Sequence, residues 1–169
     1  MRISYRLLPY FVSRRARGPG AHFPPTFLFI LGFVVALWID WQRPLPIATQ
    51  GGDIARAVLG VAALAAGAWL FWWGMATFAR ARTGILLQQP ASRLICSGPY
   101  RWTRNPQYVG YLAGYFGLSV LANTYWPLLL LPIVLVLLWL FVISREEKYL
   151  EGVFGSEYVD YCRRVSRWL

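Results

Sequence analysis

WPLLLLPIVLVLLWLFVISREEKY, residues 126–149, decides what kind of molecule this chain is. Residues 126–144 carry no charged side chain, and a helix of that length, at about 1.5 Å per residue, reaches across the hydrocarbon core of a bilayer. Arg145-Glu-Glu-Lys148 follows at once. Paired carboxylates at the end of a bilayer helix are costly unless they meet cations or donors, so their presence there asks for a use.

Working outward, three more apolar segments stand at 23–39, 54–79 and 108–122. The second extends about 39 Å and the last only about 23 Å, short for a lone spanning helix unless tilt, local thinning or burial accommodates it. After 144 the helix continues polar towards Gly152 and Gly155, where it is expected to end. A further helix over 156–168 opens on a cap-like Ser156. Its period sets Tyr158, Tyr161, Val165 and Trp168 on one face and Arg163, Arg164 and Arg167 elsewhere, an interfacial pattern. The fold expected is all-α: a polytopic membrane helical bundle of about four transmembrane helices plus a C-terminal interfacial helix, forming one domain over 1–169.

Composition agrees. The chain is 57% hydrophobic and 14% charged, with positive mean hydropathy, against about 25% charged residues in ordinary soluble domains. The net charge of +10 is confined to two blocks, five Arg in residues 1–17 and five in 80–104, while 40–56 and the stretch from Arg145 onward are balanced. No soluble surface remains to present these Arg to nucleic acid, so topology and anionic headgroups account for them. The positive-inside rule puts both termini and the 80–106 loop on the cytoplasmic side of what is expected to be a bacterial-type inner membrane. Cys96, Cys162 and His22 make no metal-binding spacing, and no cleavable signal follows the basic segment 1–22. Gly60, Gly67 and Gly74 on the second apolar segment, and Gly110 and Gly114 on the third, form small-residue stripes suited to close helix packing.

The second polar block is GPYRWTRNPQYVG, residues 98–110. Pro106 suits the first turn of a helix, which sets Arg101, Arg104 and Asn105 beside backbone amides that attract anions. Topology and phosphate anchoring would use the same Arg. Glu146 and Glu147 point about 100° apart on a helix, so one can face a pocket while the other pairs with Arg145 or Lys148. Tyr149, Tyr158 and Tyr161 suit a membrane belt or a π-face for a cation. Cys96 lacks a neighbouring base and is not a nucleophile.

In this order the two blocks resemble the isoprenylcysteine carboxyl methyltransferase family and its phospholipid-methylating relatives, over roughly residues 80–169. The family pattern Leu-Val-x-x-Gly-Pro-Tyr-x-x-x-Arg-(His or Asn)-Pro-x-Tyr-x-Gly is met by Leu94, Ile95, Gly98, Pro99, Tyr100, Arg104, Asn105, Pro106, Tyr108 and Gly110. Asn105 stands where the eukaryotic prenylcysteine enzymes have His, and an amide is no base near neutral pH.

The resemblance implies an integral-membrane enzyme that uses S-adenosylmethionine, without metal, to methylate a lipid-like or small amphiphilic acceptor. It implies catalytic roles for Arg104, Asn105 and Tyr108. It implies cofactor contacts from Leu94, Ile95, Gly98, Tyr100, Arg104, Asn105, Tyr108, Glu146 and Glu147. Two rival readings are a nicotinamide-dependent membrane reductase of the sterol-reductase type and a non-enzymatic membrane scaffold or permease subunit. The first lacks an extra basic pocket for dinucleotide phosphates, and the second leaves both polar blocks without a role.

Overall fold

The computed structural model describes residues 24–48, 51–81 and 93–169. The basic N-terminal block, His22 and the central part of the 80–106 loop lie outside the described residues. Among the described residues six α-helices follow one another: α1 (Pro25–Gln42), α2 (Asp53–Ala81), α3 (Pro106–Leu121), α4 (Trp126–Leu138), α5 (Ser144–Phe154) and α6 (Ser156–Arg164). A 3-10 turn at Gly98–Arg101 precedes α3. A π-helical turn at Trp139–Ile143 joins α4 to α5, so that 126–154 is one continuous rod.

Among the described residues, three helices are long and apolar enough to cross a membrane: α1, α2 and the rod that begins with α4. The apolar side chains on their outer surfaces are bare, with Trp72 67% exposed and Val58 63%. Water does not tolerate such continuous apolar surface, and a bilayer does. The chain is therefore an integral membrane protein. The segment expected as a fourth span is α3, whose 16 residues fall short of that length.

What α3 lacks in length it makes up in contact. It lies antiparallel against α2, with its two ends at opposite ends of the bundle. A Cβ on Gly67 would sit 2.6 Å from the Gly110 carbonyl oxygen, and one on Gly117 would sit 2.7 Å from that of Gly60. Gly67 and Gly60 thus face Gly110 and Gly117 and bring backbone onto backbone, as small residues do in lipid, whereas the missing Cβ of Gly114, expected in the same stripe, has nothing nearer than Leu64 at 3.9 Å. Gly74 is looser, its missing Cβ being 3.4 Å or more from Gln107, Pro106 and Tyr100.

The second pairing is α1 with α4, and the core lies between the two pairs: Phe29 from α1, Tyr108 and Tyr115 from α3, Val134 and Leu138 from α4, Val142 and Ile143 from the π turn. At one end the α1–α2 and α3–α4 loops are stitched together. Thr124 donates to Asp40 (2.7 Å), Asn123 exchanges two hydrogen bonds with the backbone of Ala48 (3.0 Å each), and Trp126 donates to the Arg43 carbonyl (2.7 Å). The polar blocks occupy the other end.

The final segment departs from its expected form. The rod runs through Gly152 and stops at Phe154, because Gly155 takes φ +53°, a conformation that suits glycine. Ser156 is the first residue of α6 and makes no side-chain cap. The last helix ends at Arg164 rather than 168, and Val165 is extended. Its face is not simply interfacial: Tyr158 and Tyr161 are buried, and Tyr161 donates to the Tyr100 carbonyl at 2.8 Å.

Candidate active site

Pro106 opens α3 with Asn105 as its N-cap, so the residues just before it are carried to the helix start. Gly98 makes that approach possible. It takes φ +60°, and a Cβ there would meet the Thr77 hydroxyl at 2.7 Å. The turn it opens buries Pro99 and Tyr100 against the end of α2, with the Tyr100 ring edge-on to Phe78 at 5.2 Å.

The rod delivers Glu146 and Glu147 to the same end, and the two polar blocks meet there. Tyr108 donates its hydroxyl to both oxygens of Glu146 (2.9 and 3.0 Å). Arg104 donates through Nη1 to Glu147 Oε1 (3.0 Å) and to Cys162 Sγ (2.9 Å). Glu147 also receives a bidentate contact from Arg167, Nε to Oε1 at 2.9 Å and Nη2 to Oε2 at 2.8 Å. The ion pairs expected with Arg145 or Lys148 therefore go, for Glu147, to Arg104 and Arg167. As expected, the neighbouring carboxylates face different partners.

Of the residues marked in the sequence, Arg104, Tyr108, Glu146 and Glu147 form one connected cluster. Tyr100 borders it, and burial, with smaller contributions from Tyr161 and then Glu146, holds the Tyr100 phenol well above its ordinary range. It stays a protonated donor. Ile95 is buried and Leu94 half-buried in the approach to the turn. Asn105 turns its amide to the Arg167 carbonyl (3.1 Å), a fastening contact. Arg101 is exposed and joins nothing in the cluster. Arg167 is the residue that sequence reasoning missed: helical periodicity carried through 168 set it, with Arg163 and Arg164, away from the aromatic face of an interfacial helix, whereas the helix ends at Arg164.

Beneath the cluster, Tyr111 stacks on Tyr108 (centroids 6.5 Å apart) and hydrogen-bonds to Thr26 (2.8 Å). Tyr111 also lines an apolar groove of about 420 Å³ between α1 and the α2–α3 pair, bordered by Phe29, Phe33, Phe71, Gly67 and Gly114. Polar cluster and groove are thus joined through two stacked phenol rings.

The arrangement can hold a ligand with both charges. It offers two carboxylates and two guanidinium groups within one patch. The Tyr100 hydroxyl and Arg104 Nε are moreover buried without a hydrogen-bond partner among the described residues, a costly state that a ligand relieves.

The site is thus a polar cluster at one end of a membrane helical bundle, above an apolar groove, which places the chain among integral-membrane helical proteins. The family model described as phospholipid methyltransferase matches residues 55–157, well over half of the chain, and the chain belongs to that family. It is also similar to the protein-S-isoprenylcysteine O-methyltransferase of Saccharomyces cerevisiae, 37% identical over 75 residues that cover 43% of this chain and 30% of that protein. The enzyme of the same name from Schizosaccharomyces pombe is 35% identical over 75 residues, with the same coverage. The B form from Arabidopsis thaliana is 34% identical over 76 residues, 43% of this chain and 37% of that protein. The match thus spans only about a third of the length of these relatives. No solved structure matches significantly.

Proposed function

We propose that the protein is a methyltransferase that transfers the methyl group of S-adenosylmethionine to a lipid-like or small amphiphilic acceptor at one face of the membrane. The observation that carries this reading is the convergence of Arg104 and Tyr108 with Glu147 and Glu146, joining blocks about forty positions apart in the chain. The donor set suits the cofactor, which presents an ammonium, a carboxylate, ribose hydroxyls and a sulfonium.

S-adenosylmethionine supplies an activated methyl group whose transfer needs alignment and exclusion of water more than acid–base chemistry. Glu146 offers a carboxylate to cationic or hydroxyl groups, and Tyr108 fixes its orientation. Arg104 sets Glu147. Asn105 cannot serve as a base; its role is to tie the start of α3 to the segment at Arg167. The Tyr108–Tyr111 stack leads an apolar acceptor from the groove to this cluster, consistent with a lipid-like substrate.

Titration of the detergent-solubilised protein with S-adenosylmethionine and its demethylated product tests the reading. Saturable binding of both, unchanged by chelators, is the expected result. Stabilisation by a nicotinamide dinucleotide in their place would shift the reading to a reductase.

The acceptor side is tested separately. The missing Cβ of Gly114 has only Leu64 within 4 Å, at 3.9 Å, so a side chain fits there and projects into the groove. Gly114→Leu is expected to raise the acceptor KM severalfold and leave cofactor affinity unchanged. An unaltered KM across amphiphilic acceptors would remove the groove from the substrate path.

The topology follows the charge. The polar cluster end is proposed as cytoplasmic, with both termini and the 80–106 loop. In a Cys96→Ser, Cys162→Ser background, a cysteine at Ser156 should resist impermeant reagents in intact cells, whereas one at Gly51 should react. External labelling of position 156 would reverse the orientation.

A further inference from the structure

Arg167 sits on the segment 165–169, which leaves α6 extended and runs along the start of α3. Thr103 and Ser166 form a parallel bridge, and the Arg104 amide donates to the Ser166 carbonyl at 2.9 Å. Thr103 Oγ1 and Asn105 Nδ2 both donate to the Arg167 carbonyl at 3.1 Å. Trp168 packs against the core cluster. The backbone that carries Arg167 is therefore fixed on both sides, and its guanidinium is placed rather than trailing from the surface.

The charge count around that guanidinium is uneven. Arg104 and Arg167 share one carboxylate, Glu147, and use three of its roughly four lone-pair positions. Glu146 does not redress the balance at this spot, since it is turned about 100° around the helix and is engaged by Tyr108. The hydrogen bond to Glu147 raises the Arg167 pKa further, so the positive charge is permanent. The Arg167 side chain is also 37% exposed, and its Nη1 makes no hydrogen bond among the described residues. Arg104 Nε is buried and unpartnered among them. Two forked donors with surplus charge and free N–H groups match a carboxylate, whose geometry a guanidinium meets in register.

We propose that Arg167 is a cofactor-binding residue that, with Arg104, receives the carboxylate of the methionyl part of S-adenosylmethionine, while Glu147 braces the two guanidinium groups and Glu146 faces the cationic and hydroxyl groups. This division of labour rests on the methyl-donor reading above. It gives the two adjacent glutamates different tasks, because one already serves two cations and the other serves a single neutral hydroxyl.

Decarboxylated S-adenosylmethionine, which keeps the ammonium and sulfonium and loses only the carboxylate, separates the alternatives. Calorimetry on the wild-type protein should show S-adenosylmethionine bound about tenfold to a hundredfold more tightly than the decarboxylated analogue, the range expected for charge-assisted hydrogen bonds. In Arg167→Gln that preference should collapse to a few-fold, with the analogue bound much as by wild type. Equal weakening of both ligands would make Arg167 merely structural and overturn the proposal. Tighter binding of S-adenosylmethionine by the variant would overturn it too, showing Arg167 to be a competitor for Glu147. Where Arg167→Gln proves unstable, Arg167→Lys keeps the charge opposite Glu147 without the fork; undiminished preference in that variant counts against the proposal. Wild type binding neither ligand would instead overturn the methyl-donor reading.

Discussion

Gly67→Leu is expected to leave no folded monomer. The first added atom would stand 2.6 Å from the Gly110 carbonyl oxygen and 2.9 Å from the Gly114 amide nitrogen, both backbone atoms of α3. Neither can step aside without parting the helices, and α3 depends on α2 for most of its contact. Overpacking a well-fitted core costs about 1–3 kcal/mol where side chains can adjust; here no side chain is available to adjust, so the loss should lie at or above the top of that range. Gly74→Ala is the matched control, since its neighbours begin at 3.4 Å with the flexible Gln107 side chain. Gel filtration in detergent and thermal unfolding provide the readout. A monodisperse Gly67→Leu protein with the Tm of wild type would refute the close pairing of α2 and α3.

Glu146→Gln should weaken S-adenosylmethionine by about tenfold to over a hundredfold, the loss of a charge-assisted hydrogen bond of about 1.5–3 kcal/mol. The amide keeps the shape and still accepts from Tyr108, so the fold should survive. Arg104→Ala should weaken binding as well and carries an additional stability cost, because Glu147 then keeps Arg167 alone. Arg163→Ala is the comparison: that side chain is exposed and, among the described residues, pairs with Asp160 on its own helix, a contact of little consequence. Cofactor titrations on all three, with melting curves in parallel, decide the matter. Wild-type affinity in a folded Glu146→Gln protein would remove Glu146 from the site.

The parts of this structure that follow from local pattern were legible in the sequence. Bilayer-length apolar runs announced α1, α2 and the rod, and Pro106 marked the start of α3. The shortfall of α3 could be read too, because span length is simple arithmetic. Small-residue stripes on both helices could be read as close-packing surfaces, but not that they would face each other, and the contact on α3 is made by Gly110 and Gly117 where the sequence pointed to Gly110 and Gly114. The partners of Glu146 and Glu147 were not legible. Tyr108 is 38 positions from Glu146, and nothing local says which tyrosine a carboxylate will meet. Arg167 was obscured for a different reason: amphipathic periodicity continued past Arg164, and no glycine or proline announced the change to an extended segment. The pull that ends the helix is tertiary, a bridge to Thr103 and hydrogen bonds from Thr103 and Asn105.

The π turn at Trp139–Ile143 has a bearing on how such a site is tuned. A turn of this kind holds one residue more than a regular helical turn, so everything beyond it is rotated by about 100° relative to an uninterrupted helix. The lipid-facing half of the rod and its charged half are therefore set to independent phases. Val134 and Leu138 look into the core on one setting, and Glu146 meets Tyr108 on another. Removing a single residue from the wide turn would restore a plain helix and swing both glutamates off their partners without altering any side chain at the site. The turn works as an indexing joint: the chemistry of the charged end is aimed by a register choice made inside the membrane.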